Sequence, residues 1–154
     1  MSETIYRFLE PQAVSLGLKA TTSREVLENL GGKLQQAGYV HESFVEAALT
    51  RESQLPTGLP LGGEFNAAIP HTDVVHVIKP GLALATLSEP VVFKNMINPD
   101  EDVPCRLVFV MALDQPKAQV EMLQEIAGLL QNEALVAQLV AAETYEDVKK
   151  ALLG

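Results

Sequence analysis

Two short stretches of this chain carry apolar side chains in both alternating registers. Residues 82–87 read Leu-Ala-Leu-Ala-Thr-Leu and residues 105–113 read Cys-Arg-Leu-Val-Phe-Val-Met-Ala-Leu, with Thr86 and Arg106 the exceptions. A strand covered on one face alternates apolar with polar. A run that is apolar throughout and this short belongs inside a sheet with helices on both sides. That requirement constrains the fold more than any other feature of the sequence.

The remaining chain supplies what such a sheet needs. Val14, Leu16 and Leu18 alternate with Ser15, Gly17 and Lys19, the period of a strand. Thr22 or Ser23 then offers a helix N-cap, Val26, Leu27, Leu30, Leu34 and Ala37 follow at helical spacing, and Gly38 is placed to end the helix. A second helix is predicted over residues 42–53, burying Phe44, Val45, Ala48 and Leu49. It must stop before Pro56, which pushes Leu55 out of the α region. Residues 56–63 are dense in turn formers and read as a loop, followed by a strand ending at Ile69. Val91, Val92 and Phe93 read as a separate peripheral strand. Helices are predicted over residues 116–131, 133–142 and 145–152, with Thr144 capping the last. The expectation is a single α/β domain over residues 1–154, a three-layer α/β/α sandwich with a mixed central sheet.

Composition narrows the partners. A formal net charge of −9 argues against nucleic acid, whose phosphates require a basic footprint, and against an anionic membrane surface. No apolar run reaches 18 residues, and the first ten residues lack the apolar core of a signal peptide, so a cytoplasmic protein without membrane insertion is expected. The single cysteine, Cys105, excludes an internal disulfide framework and opens a buried strand, where it reads as a small hydrophobe. No heptad seam is present, so a monomer is the default.

The candidate chemistry centres on Ala68-Ile69-Pro70-His71-Thr72-Asp73. Pro70 has a fixed φ and biases Ile69 toward extended backbone, so His71 is presented rigidly just past a strand end. A histidine held that way can be a nucleophile, a general base or a metal ligand. His71, Asp73 and His76 do not have the spacing of a strong zinc motif, and no further Cys or His completes a set; no metal and no cofactor are expected. His41 reads as a solvated residue before a helix, and Lys79 and Lys94 as residues that could line a docking face.

Three further pieces stand in order along the chain: Ala48-Leu49-Thr50-Arg51-Glu52, Leu55-Pro56-Thr57-Gly58-Leu59, and Ala68-Ile69-Pro70-His71. Together they resemble the enzyme IIA component of the bacterial sugar phosphotransferase system, within its mannitol–fructose superfamily. The match runs from about residue 25 to residue 153. The resemblance implies a phosphoryl carrier. His71 would accept the phosphoryl group from the phosphocarrier protein (HPr) and pass it to a cognate IIB component during sugar uptake. Arg51 would offset the phosphoryl charge. Glu52 would orient Arg51 or face solvent. Thr57 would hydrogen-bond the active-site loop or the phosphoryl group, and Gly58 would serve backbone geometry.

One position departs from the mannitol and fructose pattern. Those members carry a second histidine at the start of a helix, where this chain has Gln119. An amide can donate a hydrogen bond to a phosphoryl oxygen or to the imidazole, but carries neither proton nor charge. A glutamine here is a feature of galactitol-type members, which points toward galactitol or a related polyol. The alternative is a phosphorylatable regulatory module of the same fold, of the nitrogen or potassium regulation type.

Overall fold

The computed structural model describes residues 2–154. In chain order it contains α1 (Glu3–Phe8), β1 (Leu9–Leu18), α2 (Ser23–Gln36), α3 (Phe44–Gln54), β2 (Gly58–Leu59), β3 (Ala67–Ala68), a 3₁₀ turn (Val74–His76), β4 (Gly81–Lys94), β5 (Asp102–Ala112), α4 (Pro116–Leu130), α5 (Glu133–Ala141) and α6 (Tyr145–Leu153). The five strands form one sheet in the order β1-β4-β5-β3-β2. β1 runs parallel to β4 and β3 parallel to β5, while β4–β5 and β2–β3 are antiparallel, so the sheet is mixed.

The doubly apolar strands do what their composition requires. Leu82 and Leu84 of β4, with Leu107, Phe109 and Met111 of β5, form one core with Ile5, Met122, Ile126, Leu139 and Leu152 of α1, α4, α5 and α6. Their sequence neighbours Ala83, Ala85, Val108 and Val110 point the other way, into a second core with Val26, Leu27, Leu30 and Leu34 of α2 and Phe44 and Ala48 of α3. Each large aliphatic or aromatic side chain fully buried here contributes about 1.5–3 kcal/mol of transfer free energy. The chain is therefore a three-layer α/β/α sandwich.

Local signals set the helix ends. Thr22 caps α2 by accepting from the Glu25 N–H, and Gly38 takes the left-handed φ of +86° just past its end. Thr144 and Asp147 form a reciprocal capping box on α6. α3 ends with Leu55 at φ −131°, ψ 77°, outside the α region that Pro56 disfavours for it.

Three expectations are corrected. Residues 81–94 are one strand rather than a strand with a separate peripheral one, and the polar residues Ser88 and Glu89 fall at a shift in register between Thr86 and Val91. Such an irregularity lets a ladder continue while the strand turns. The turn-rich segment 56–63 contains β2, because Gly58 and Leu59 pair with Ala68 and Ala67. The strand ending at Ile69 is only two residues of ladder, although its course continues further. The six-residue helix α1 escaped the sequence reading: too short to show a period, it is held by the Ser2 cap and by burial of Ile5. Among the described residues no helix is long and apolar enough to cross a membrane.

Candidate functional site

His71 lies where the chain leaves the sheet. β3 runs parallel to β5, and past its last ladder residue the Pro70 carbonyl still accepts from the Met111 N–H at 3.0 Å. That bond carries the strand's course up to the histidine and fixes the backbone on its N-terminal side. The His71 side chain is 8% exposed, and its Nδ1 stands 2.9 Å from the Ile69 carbonyl oxygen. A carbonyl only accepts, so Nδ1 carries the proton and the lone pair is left on Nε2. Burial pulls the imidazole pKa below its ordinary value of 6.5, and the positive charge of Arg51 acts in the same direction. The Ile69 bond and Asp73 oppose this without reversing it. The ring is thus a neutral imidazole with its nucleophilic nitrogen defined.

Arg51 sits in the last turn of α3, half-buried. Among the described residues its Nε is a buried donor with no hydrogen-bond partner. A buried, unpaired N–H of a cation is costly unless an acceptor satisfies it. Arg51 lines the same groove as Thr72 and Asp73, the two residues that follow His71, and its positive charge disfavours protonation of the imidazole.

Glu52 behaves differently from expectation. It neither faces solvent fully nor forms an ion pair with Arg51. Its Oε2 accepts from the Thr57 N–H and its Oε1 from the Thr57 hydroxyl, both at 2.9 Å. Burial pushes its pKa up, against the two Thr57 bonds and the Arg51 charge. Both donors of Thr57, which is 2% exposed, are consumed by this clamp, so the residue braces the turn rather than reaching toward the histidine. Gly58 is required by space: a Cβ there would lie 2.6 Å from the Lys94 carbonyl oxygen.

Gln119 occupies the first turn of α4, and its Nε2 donates to the Thr72 carbonyl oxygen at 2.8 Å. Of the two acceptors open to this amide, a phosphoryl oxygen or the imidazole, the imidazole is not used; the amide holds the peptide just beyond it. Arg51, Leu55, Thr72, Asp73 and His76 line a groove of about 470 Å³ beside the histidine. His76 is engaged on its far side by Ser43, whose Oγ lies 2.8 Å from Nδ1. His41 is exposed and Lys79 sits over the Tyr39 ring at 4.5 Å, while Lys94 pairs with Asp102. Cys105 is buried and its thiol pKa is pushed up to about 12, chiefly by burial, which leaves it inert. Thr72 was missed by the sequence reading, because its contribution is a main-chain carbonyl that no side-chain pattern announces.

Fold and site together define a small α/β protein that presents one neutral, pre-oriented imidazole, with an arginine carrying an unsatisfied buried donor on the groove that follows it. Residues 7–154 match the family model described as the phosphoenolpyruvate-dependent sugar phosphotransferase system, EIIA 2. The chain belongs to that family, whose members are phosphotransferase components phosphorylated on histidine. It is 29% identical over 127 residues to the galactitol-specific EIIA component of Escherichia coli (strain K12), covering 82% of this chain and 83% of the relative. Among solved structures, the complex of enzyme IIA-Mtl with phosphorylated enzyme IIB-Mtl from Escherichia coli contains a chain matching at TM-score 0.78 and 29% identity, over 95% of this chain and 97% of that one. The nitrogen regulatory protein IIA-Ntr from Neisseria meningitidis matches at TM-score 0.75 and 23% identity, over 95% of this chain and 97% of that one, a likeness of fold alone.

Proposed function

We propose that His71 is the phosphoryl acceptor and that the protein relays the group from HPr to a IIB component serving a polyol, galactitol being the first candidate. The Nε2 lone pair attacks the phosphorus of the donor phosphohistidine. The new N–P bond forms as the bond to the donor's nitrogen breaks, and that nitrogen leaves with the electron pair. Nδ1 keeps its proton throughout, shared with the Ile69 carbonyl, so His71 needs no base. Phosphoryl transfer is mostly positioning and charge stabilisation. The ring's anchorage supplies the first and Arg51 the second. The reverse sequence of bonds delivers the group to the IIB acceptor.

The observation that carries this reading is the Nδ1–Ile69 bond, which leaves a buried, neutral ring with Nε2 as its only lone pair. Around it the surface suits docking by another protein. Leu55, Val75 and Val120 are 56%, 73% and 56% exposed, and each belongs to or adjoins an element that also contributes a site or groove residue. Galactitol is supported by the similarity to the galactitol-specific relative and by the glutamine at position 119. The regulatory alternative uses the same chemistry at His71 and differs only in the partner.

The test is incubation with phosphoenolpyruvate, enzyme I and HPr, followed by mass mapping and addition of galactitol-type IIB. One phosphoryl group on His71, lost on adding IIB, is expected. Label on His41 or His76, with a His71→Gln protein still competent, would overturn the assignment. Retention of the label in the presence of IIB would favour the regulatory role.

A further inference from the structure

The bond between Gln119 and the Thr72 carbonyl crosses from α4 to the residue that follows His71, 47 positions away in sequence. Thr72 is 6% exposed, so its carbonyl has little recourse to water if this donor is removed. The histidine is bounded on its other side by two bonds, from Nδ1 to the Ile69 carbonyl and from the Met111 N–H to the Pro70 carbonyl. Those two fix the strand-side backbone and the plane of the ring. They leave the peptide after His71 unconstrained, and the next local bond is the one from the His76 N–H to the Asp73 carbonyl. Gln119 closes that gap.

We infer that Gln119 is a positioning residue. Its amide latches the Thr72–Asp73 peptide to the head of α4 and so fixes the site and direction of Nε2, and it does not act by touching the phosphoryl group. This rests on the reading of His71 as acceptor and goes beyond it by assigning work to the position where mannitol- and fructose-type relatives have a histidine. An amide suits a latch because its donor is present at every pH. In-line attack tolerates little error, a misplacement of about 1 Å costing on the order of 100-fold. A loosened peptide next to the nucleophile therefore lowers the rate of the bound complex, while leaving the docking surface of Leu55, Val75 and Val120 unchanged.

The experiment uses Gln119→Met, which keeps length without a donor, and Gln119→His, which returns a donor. Single-turnover transfer from phosphorylated HPr is measured over a range of HPr concentrations, and hydrogen exchange of the His76 N–H, which donates to the Asp73 carbonyl, is followed in unphosphorylated protein. The latch predicts that Gln119→Met lowers the saturating rate roughly 5–20-fold with an unchanged half-saturation concentration. It also predicts faster exchange at His76 and recovery of most of both losses in Gln119→His. A parental saturating rate and parental His76 exchange in Gln119→Met would overturn the latch. So would a loss confined to half-saturation, which would mean that Gln119 contacts the partner. So would a slow saturating rate with undisturbed His76 exchange, which would mean contact with the phosphoryl group. Failure of the parent protein to take up phosphate on His71 would overturn the acceptor reading instead, and the exchange data would still decide whether the latch exists.

Discussion

The loop leaving β3 and the loop joining β4 to β5 have their backbone groups satisfied from opposite directions. In the β4–β5 loop, the buried Asn95 side chain accepts from the Ile97 and Asn98 N–H groups and donates to Glu101, and the Asn95 N–H donates to the Glu101 carbonyl. The Met96 N–H reaches outside, to the Gly58 carbonyl. That largely self-made turn holds Ile97 out at 89% exposure. In the histidine loop, the Pro70 carbonyl is held by β5, the Thr72 carbonyl by α4, and the His76 carbonyl by the His41 N–H between α2 and α3. A loop that closes on itself has its shape whatever surrounds it. A loop closed by three other elements has its shape only in the folded protein, which is how a site with one demanded geometry is made.

The sharpest way to break this contrast is at the nucleophile. His71→Gln is expected to abolish phosphate uptake completely while retaining the fold, as read by mass spectrometry and circular dichroism. It also tests the pH linkage. The folded pKa of His71 lies below its ordinary value of 6.5, so the unfolded chain takes up the proton first. The stability associated with the neutral ring is whole above that ordinary range and is lost as pH falls through the lowered folded value. His71→Gln should remove this part of the acid destabilisation. Denaturant midpoints from pH 7.5 to 5 that fall identically in parent and variant would contradict it.

Next in size is Arg51. Arg51→Ala should slow transfer roughly 10–100-fold, about 1.4–2.7 kcal/mol of barrier. Arg51→Lys should recover only part, because lysine keeps the charge but loses the planar fork. Quenched-flow transfer from phosphorylated HPr reads both, and an unchanged rate in Arg51→Ala would leave its buried Nε without a role. Glu52→Gln should act chiefly on stability. An amide offers one acceptor where the carboxylate offered two, so one Thr57 donor meets an NH₂ group, at a cost of about 1–3 kcal/mol in urea unfolding. The smallest effect on transfer is expected from Asn95→Ala. It should lower stability by about 1–2 kcal/mol through the lost turn bonds and leave the transfer rate at parental level. A slowed transfer in Asn95→Ala would show that the two loops are coupled, with the Met96–Gly58 bond as the route.

Much of this protein was readable before its structure. The two-faced apolar runs at 82–87 and 105–113 dictated a sheet covered on both sides, since burial on both faces leaves no polar register. Thr22, Gly38, Pro56 and Thr144 marked helix ends because capping and proline effects act within a few residues. Pro70 and His71, with Arg51 and Gln119 in order along the chain, pointed to the site through the family resemblance. The partners of those side chains were not readable. The Glu52–Thr57 clamp and the bond from His71 Nδ1 to the Ile69 carbonyl are local, but no side-chain pattern selects them over other nearby partners, and the bond from Gln119 to the Thr72 carbonyl depends on where α4 comes to rest. Local sequence determines which residues can cap, turn or lie in a sheet. Which carbonyl Gln119 takes, and which donor of Arg51 is buried without a partner, was decided only when distant elements packed and main-chain carbonyls, which every residue carries alike, came within hydrogen-bonding distance or failed to.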